Sequence, residues 1–413
     1  MIVKDWAAVV SDEIVASYNH GTRRSCPPFS TINKVTTLSK VMGVTRIANV
    51  TGLDFVGVPV VMVVRPKSKS LSVSQGKGLS LDAAKASGLM ESIELYHAEN
   101  ITNPMYYASY EALRYNHQVA DIASLNLCQE SSFHPNKETS WIEATNLKDF
   151  DKQLVPFELV HTNFTEPRIP GFGAFISSSN GLASGNCYLE AILHGIYEIV
   201  ERDQITLWLL RDKDTNKSSR IKLSTIEYNP VTEIINNAEA RGLYIAIWDI
   251  SSDIGLPCFA CTVISSNDHH FGNFVTSGYG CHTDKNIALS RAVTEAFQSR
   301  LTMISGARDD NFWDQYEEVR NINKNKRTID AIVADPESQD FSKIKTSTYA
   351  SLNEEFNDVL YRLRIAGFKD VFVTDLGKKE FNILIVRIII PGLEYKITNP
   401  KYAPGKRARA LLN

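Results

Sequence analysis

YLEAILHGIYEIVERDQITLWLL, residues 188–210, reads as one long helix. Glu190, His194, Glu198 and Glu201 follow one another at steps of four, four and three residues. At about 100° per residue, such positions share one helix face. Ala191, Ile192, Leu193, Ile196, Ile199 and Val200 surround them, so the helix is expected to be largely buried. Two further stretches repeat the pattern. LDAAKASGLMESIELYHAEN, residues 81–100, follows Ser80 as N-cap and carries Ser87, Glu91 and Glu94. KNIALSRAVTEAFQSRLTM, residues 285–303, carries Arg291, Glu295 and Gln298.

One acidic pair on a helix is ordinarily a solvated face. Three polar, mostly acidic stripes, each on an apolar helix, are a different matter. A buried carboxylate needs a cation or strong hydrogen-bond donors, because burying a bare charge is too costly. Converging oxygen ligands of this density suit Mg2+ or Mn2+ rather than zinc. A nucleoside triphosphate bridged by Mg2+ explains why a protein would gather carboxylates against phosphates. Two polar, Gly-bearing stretches precede the first two helices: SVSQGKGLS (72–80) and SSSNGLASGN (177–186). Read as loops, they bring backbone N–H groups, Lys77 and Asn186 towards a phosphate. Arg202 and Arg291 add positive charge. There is no Walker A motif, since Gly76-Lys77 is followed by Gly78.

Other signals weigh less. Glu94-x-x-His97 is the single E-x-x-H of the three helices, whereas carboxylate-bridged di-iron bundles use two. Cys258-x-x-Cys261 lies in a strand-like run, where residues three apart face opposite sides, so it reads as core packing. His269-His270 reads as loop. Trp141, Trp208 and Trp248 read as core.

The 413 residues carry 44 basic and 47 acidic side chains, which argues against a nucleic-acid partner. An apolar content of 43% excludes wholesale disorder. No run reaches the roughly 18 apolar residues of a membrane span. The N-terminus lacks a signal-peptide core, and the six cysteines are scattered, which fits a cytoplasmic protein. Strand-like runs at 44–65, 141–176, 243–249, 257–264 and 371–390 interleave with the helices, so the fold class is mixed α/β, or α+β. The first 39 residues read as irregular with one short helix, and 320–326 as a surface connection.

These motifs together resemble the YcaO family of ATP-dependent peptide-modifying enzymes. The resemblance is carried by Gly43-Val44-Thr45-Arg46, Thr51-Gly52-Leu53-Asp54, Ser74-Gln75-Gly76-Lys77-Gly78 and Gly181-Leu182-Ala183-Ser184-Gly185-Asn186. The three helix stripes, Glu201-Arg202-Asp203 and Pro391-Gly392-Leu393-Glu394 complete it. It implies a YcaO-like fold with a non-Walker ATP site on glutamate-bearing helices, and ATP and Mg2+ as cofactors. By carry-over, the catalytic set is Glu91, Glu94, Glu198, Glu201 and Arg202. Glu91, Glu94, Glu198, Glu201 and Glu295 are expected to hold Mg2+. Lys77, Ser87, Asn186, Glu190, Arg291 and Glu295 are expected to meet the nucleotide. The implied layout is an N-terminal segment (1–30), one catalytic domain (31–400) and a C-terminal tail (401–413).

The family activates backbone amides: phosphorylation turns the amide oxygen, a very poor leaving group, into a good one. The nucleophile sets the product. External sulfide gives a thioamide, often with a TfuA partner. A neighbouring Cys, Ser or Thr gives an azoline, here with a separate leader-peptide-binding partner. An amine gives an amidine. The tail lacks the Pro-x-Pro-x-Pro ending of many azoline-forming members, which inclines the reading to thioamidation of a ribosomally made peptide or protein. A homodimer is compatible with the resemblance. A non-catalytic peptide- or nucleotide-binding partner is the reading of another class, and the intact glutamate set argues against it.

Overall fold

The computed structural model describes residues 5–169, 171–211, 219–265, 275–310, 313–314, 322–396 and 401–412. Val- and Ile-rich runs punctuated by Gly and Pro form three sheets, and every pairing between their strands is antiparallel. The first holds β1 (Arg46–Asn49), β2 (Val60–Val64) and β3 (Val73–Lys77). The second runs β4 (Met105–Ser109), β5 (Glu138–Asn146), β11 (Phe372–Asp375), β12 (Leu384–Ile389) and β7 (Leu182–Gly185), with β6 (Lys152–Pro156) also on β5. The third runs β10 (Val275–Cys281), β9 (Cys258–Ser265) and β8 (Leu243–Asp249).

The described helices are α1 (Trp6–Ser11), α2 (Pro28–Val41), α3 (Leu81–Glu99), α4 (Tyr110–Leu113), α5 (Tyr188–Leu210), α6 (Asn229–Glu239), α7 (Lys285–Ser305), α8 (Ile322–Ala334), α9 (Leu352–Ile365) and α10 (Lys406–Leu412). Each of the three striped helices lies on a sheet of its own: α3 on β3 and β2, α5 on β7 and β12, α7 on β10 and β9. Ser80 caps α3, its hydroxyl accepting the Ala83 N–H at 3.2 Å. The apolar faces fill the three largest cores among the described residues. Leu189, Ile192 and Ile196 of α5 pack with Val386 and Ile388. Leu89 and Ile93 of α3 pack with Val61 and Val63. Ala292 and Phe297 of α7 pack with Ile245 and Phe259.

Each helix also touches the strand of another unit: α3 meets β7, α5 meets β10 and α7 meets β3. Three strand–helix units thus close into a ring, and the sequence pattern repeated three times is the mark of that ring.

Several elements differ from the sequence reading. The two Gly-bearing stretches are not plain loops, because Val73–Lys77 and Leu182–Gly185 are strands. Their glycines serve close packing. A Cβ on Gly76 would stand 2.0 Å from the Ala84 carbonyl oxygen and 2.1 Å from Gly88 N, so only hydrogen fits where α3 crosses β3. Among the described residues up to 41 there are two helices, and Trp6 of α1 meets the Tyr188 ring edge-on at 5.2 Å between centroids. The sequence reading places one short helix in this stretch, and the structure adds a second; a helix of six residues such as α1 is too short to show periodicity. Within 320–326, the residues from Ile322 onward begin α8. His269 and His270 lie outside the described residues. Cys258 and Cys261 are fully buried in β9 and join different cores, as alternation along a strand requires.

Candidate active site

The three stripes converge. Ser87, Glu91 and Glu94 from α3, Glu190, His194, Glu198 and Glu201 from α5, and Arg291, Glu295 and Gln298 from α7 all line one cavity of about 760 Å3. Lys77 at the end of β3, Asn186 before α5 and Arg202 on α5 line it too. Every site residue expected from the sequence is therefore brought to one place.

The carboxylates are held by donors that cross the ring. The Ser184 hydroxyl on β7 donates to Glu94 Oε1 on α3. The Cys281 N–H on β10 donates to Glu201 Oε2 on α5 at 3.0 Å. The Lys77 ammonium on β3 donates to Glu295 Oε2 on α7. Glu198 accepts the Gly181 N–H at 3.2 Å, and its other oxygen lies 3.9 Å from Arg202. Glu190 is saturated by the protein itself. It accepts from Ser25 N at 2.5 Å, Asn186 N at 3.0 Å, Asn186 Nδ2 at 3.1 Å and Arg24 at 3.5 Å. Burial raises its pKa, but Arg24 and these donors outweigh it and hold the carboxyl below its ordinary value.

The other carboxylates are less well compensated. Burial pushes Glu91 up to about 7 against the opposing pull of Arg308 and Lys77. Burial, with Glu91 and Glu198 nearby, pushes Glu94 up to about 8 despite the Ser184 hydrogen bond. Glu198 is raised by burial, and Glu201 by burial and by Glu295. Glu295 is the exception. Burial raises it, yet Lys77 and Arg202 bring it below the ordinary value. Six glutamates line the cavity among the described residues, against Arg24, Lys77, Arg202, Arg291 and Arg308.

This donor set fits a divalent cation presented by an anion. Four under-compensated carboxylates would gain from Mg2+, while Lys77, Arg202 and Arg291 suit phosphate oxygens. His194 Nδ1, Arg291 Nε and Ser290 Oγ are buried in the lining without a partner, as polar atoms awaiting a ligand would be. Among the described residues, no three carboxylate, His or Cys side chains form a ready single-ion cluster. The expected cage is thus a looser ring of carboxylates. Mg2+ commonly takes only one or two protein carboxylates and completes its shell with phosphate and water.

His97 stands outside this lining. Its Nδ1 is 2.8 Å from the Ile93 carbonyl oxygen and its ring packs against Tyr96 and Phe381. The E-x-x-H pair therefore does not present both ends to the cavity, which removes the di-iron reading's second ligand. Sequence reasoning left Arg24, Ser184 and Arg308 unassigned. Ser184 lies in a quoted motif but on no helix stripe, and Arg24 lies in the first 39 residues, read as irregular with one short helix. Arg308 follows the end of α7, where periodicity carries no signal.

Residues 75–394 match the family described as YcaO cyclodehydratase, ATP- and Mg2+-binding. A protein encoded in the tfuA 3′ region of Rhizobium leguminosarum bv. trifolii is 30% identical over 391 residues, 93% of this chain and 92% of the relative. The fold is shared with YcaO from Methanopyrus kandleri, solved with AMPPCP and Mg2+: TM-score 0.73, 18% identity, 94% of this chain and 98% of that one. A heterocyclase solved with substrate and cofactor aligns at TM-score 0.80 and 19% identity over 98% of this chain, which spans 56% of that longer chain. A match that embraces all three glutamate helices, together with a relative similar over more than nine-tenths of both chains, leaves one assignment: this chain belongs to the YcaO family, whose domain binds ATP and Mg2+.

Proposed function

We propose that this chain uses Mg2+-ATP to activate a backbone amide of a ribosomally made peptide or protein, and that the product is a thioamide. The observation that carries the activation step is the single cavity in which six glutamates face five cationic side chains. Its volume suits a nucleotide. Glu91, Glu94, Glu198, Glu201 and Glu295 hold Mg2+, and Glu190 keeps Asn186, the Ser25 backbone and the Arg24 side chain in place. Lys77, Arg202 and Arg291 neutralise phosphate charge, and Ser87 and Asn186 offer hydrogen bonds to the nucleotide. When bound, Mg2+-ATP supplies the phosphoryl group that makes the amide oxygen a leaving group.

For the thioamide, the balance closes without an oxidant. Hydrosulfide sulfur bonds the carbonyl carbon, and the oxygen departs with the transferred phosphoryl group as phosphate. The hydrosulfide proton leaves with that phosphate, and C=O becomes C=S. The similarity to a protein of a tfuA region supports this product and a TfuA-like partner. Azoline formation with a separate leader-binding partner is the second reading, supported by the family's description as cyclodehydratases and by the heterocyclase likeness.

Mass spectrometry of peptides from the native host, with and without the gene, tests the choice. A gain equal to exchanging oxygen for sulfur supports the thioamide. Loss of one water moves the assignment to the azoline. No ATP-dependent change in any peptide, with nucleotide binding intact, would leave the binding-partner class.

A further inference from the structure

A second, smaller cavity of about 70 Å3 lies beside the Ser178–Asn180 turn. Ser179 lines the main cavity while Ser178 and Asn180 line this one, and Glu198 and Ile199 divide in the same way. Arg387 of β12 is the one charged side chain in its lining among the described residues. It is 2% exposed. Its Nε donates to the Leu159 carbonyl at 2.8 Å and its Nη2 to the Ser178 carbonyl. No carboxylate stands within ion-pair distance of it among the described residues. Glu198, the nearest in charge, has one oxygen on the Gly181 N–H and the other 3.9 Å from Arg202. Nη1 is buried and has no hydrogen-bond partner.

A desolvated guanidinium fixed by two neutral carbonyls, with no carboxylate in direct contact, is costly to keep. It is also a preorganised anion receptor, because the fork is locked and one N–H edge is free. The opposite requirement is present as well. Asn180 Oδ1, in the same lining, is a buried acceptor without a partner. With about a tenth of the main cavity's volume, the space has room for a small anion and a few waters but not for a nucleotide. Apolar walls from Leu125, Ile176 and Leu393 favour a weakly hydrated, polarisable ion over a hard oxyanion.

We propose that this cavity is a subsite for one small monoanion, and that its ligand is hydrosulfide, the nucleophile of the thioamide reaction. The sulfur accepts from Arg387 Nη1 and the S–H donates to Asn180 Oδ1, a pairing that no halide can make. The hydrosulfide assignment rests on the proposed thioamide product, whereas the monoanion subsite does not.

Crystals of the wild-type chain grown in sodium bromide test the subsite directly. The expected result is an anomalous peak within hydrogen-bond distance of Arg387 Nη1, lost in Arg387→Lys. Absence of that peak in wild-type crystals that show bromide elsewhere would overturn the proposal, whether or not the variant folds. Soaking the bromide crystals in sodium hydrosulfide separates the two sources of anion. Loss of the peak at equal or lower concentration supports hydrosulfide. Its persistence overturns the hydrosulfide assignment and leaves a structural halide site. Neither reading needs turnover, so failure to find a thioamide product is not confused with failure of the subsite.

Discussion

Lys77 and Glu295 join opposite parts of the ring: the ammonium at the end of β3 donates to a carboxylate on α7, more than two hundred residues away in the chain. Both side chains keep about a fifth of their surface open to the cavity, 20% and 19%. Both line the cavity, where a ligand would meet them. Lys77→Met is expected to leave the fold intact and weaken nucleotide binding by about tenfold or more, the loss of a charged hydrogen bond to phosphate. Calorimetric titration with a non-hydrolysable ATP analogue measures it. An unchanged Kd would remove Lys77 from the phosphate site.

Mg2+ should be indispensable for that binding. With Mg2+, an ATP analogue at a hundredfold excess over Kd should stabilise the protein by about 2.7 kcal/mol, seen as a higher Tm. With a chelator, or in Glu91→Gln, the gain should vanish. Equal stabilisation with and without Mg2+ would show that the carboxylates do not act through a metal.

Glu94 gives a pH dependence with a definite sign. Its folded pKa of about 8 lies above the ordinary 4.5, so the folded state binds the proton more tightly than the unfolded chain. The cost of ionising it in the fold therefore grows as pH rises from 4.5 towards 8 and is absent below that window. Glu94→Gln keeps an oxygen for the Ser184 hydroxyl and removes the charge. The ligand-free variant should match wild type in acid and gain on it as pH rises, while losing Mg2+-nucleotide binding. Urea unfolding at several pH values decides this. A gap that narrows with pH would contradict it.

Gly76→Ala tests packing rather than chemistry. Its methyl group would need the space of the Ala84 carbonyl oxygen, so β3 and α3 must separate. A loss of at least about 1–3 kcal/mol is expected, together with weaker nucleotide binding, because α3 carries Ser87, Glu91 and Glu94. A variant with wild-type Tm would mean that the helix can ride outward at no cost.

Much of this was legible in the residues because each glutamate stripe rides on a long helix. The stretch 188–210 is helical over the residues its periodicity predicts, and its four polar positions face one cavity. Buried carboxylates on apolar helices pointed to a candidate site before any geometry was known. What sequence could not show was the role of the glycines. A Gly-Lys-Gly run looks like a loop, yet Gly76 sits in a buried strand because a helix backbone crosses it, a fact that exists only in three dimensions. Donors such as Ser184 and the Cys281 N–H were likewise hidden, since they reach glutamates about eighty or more positions distant. Arg387 reads as an interruption in an Ile-rich strand, and only its position shows the free N–H edge.

The ring has a further meaning for how the molecule comes apart. Glu94, Glu201 and Glu295 each take a donor from a strand belonging to a different unit. No unit owns a finished binding surface, and a ligand that touches all three fastens them to one another. Slow exchange of backbone amides should consequently spread on ligand binding through α3, α5 and α7 together, so that segments far apart along the chain open as a single cooperative body.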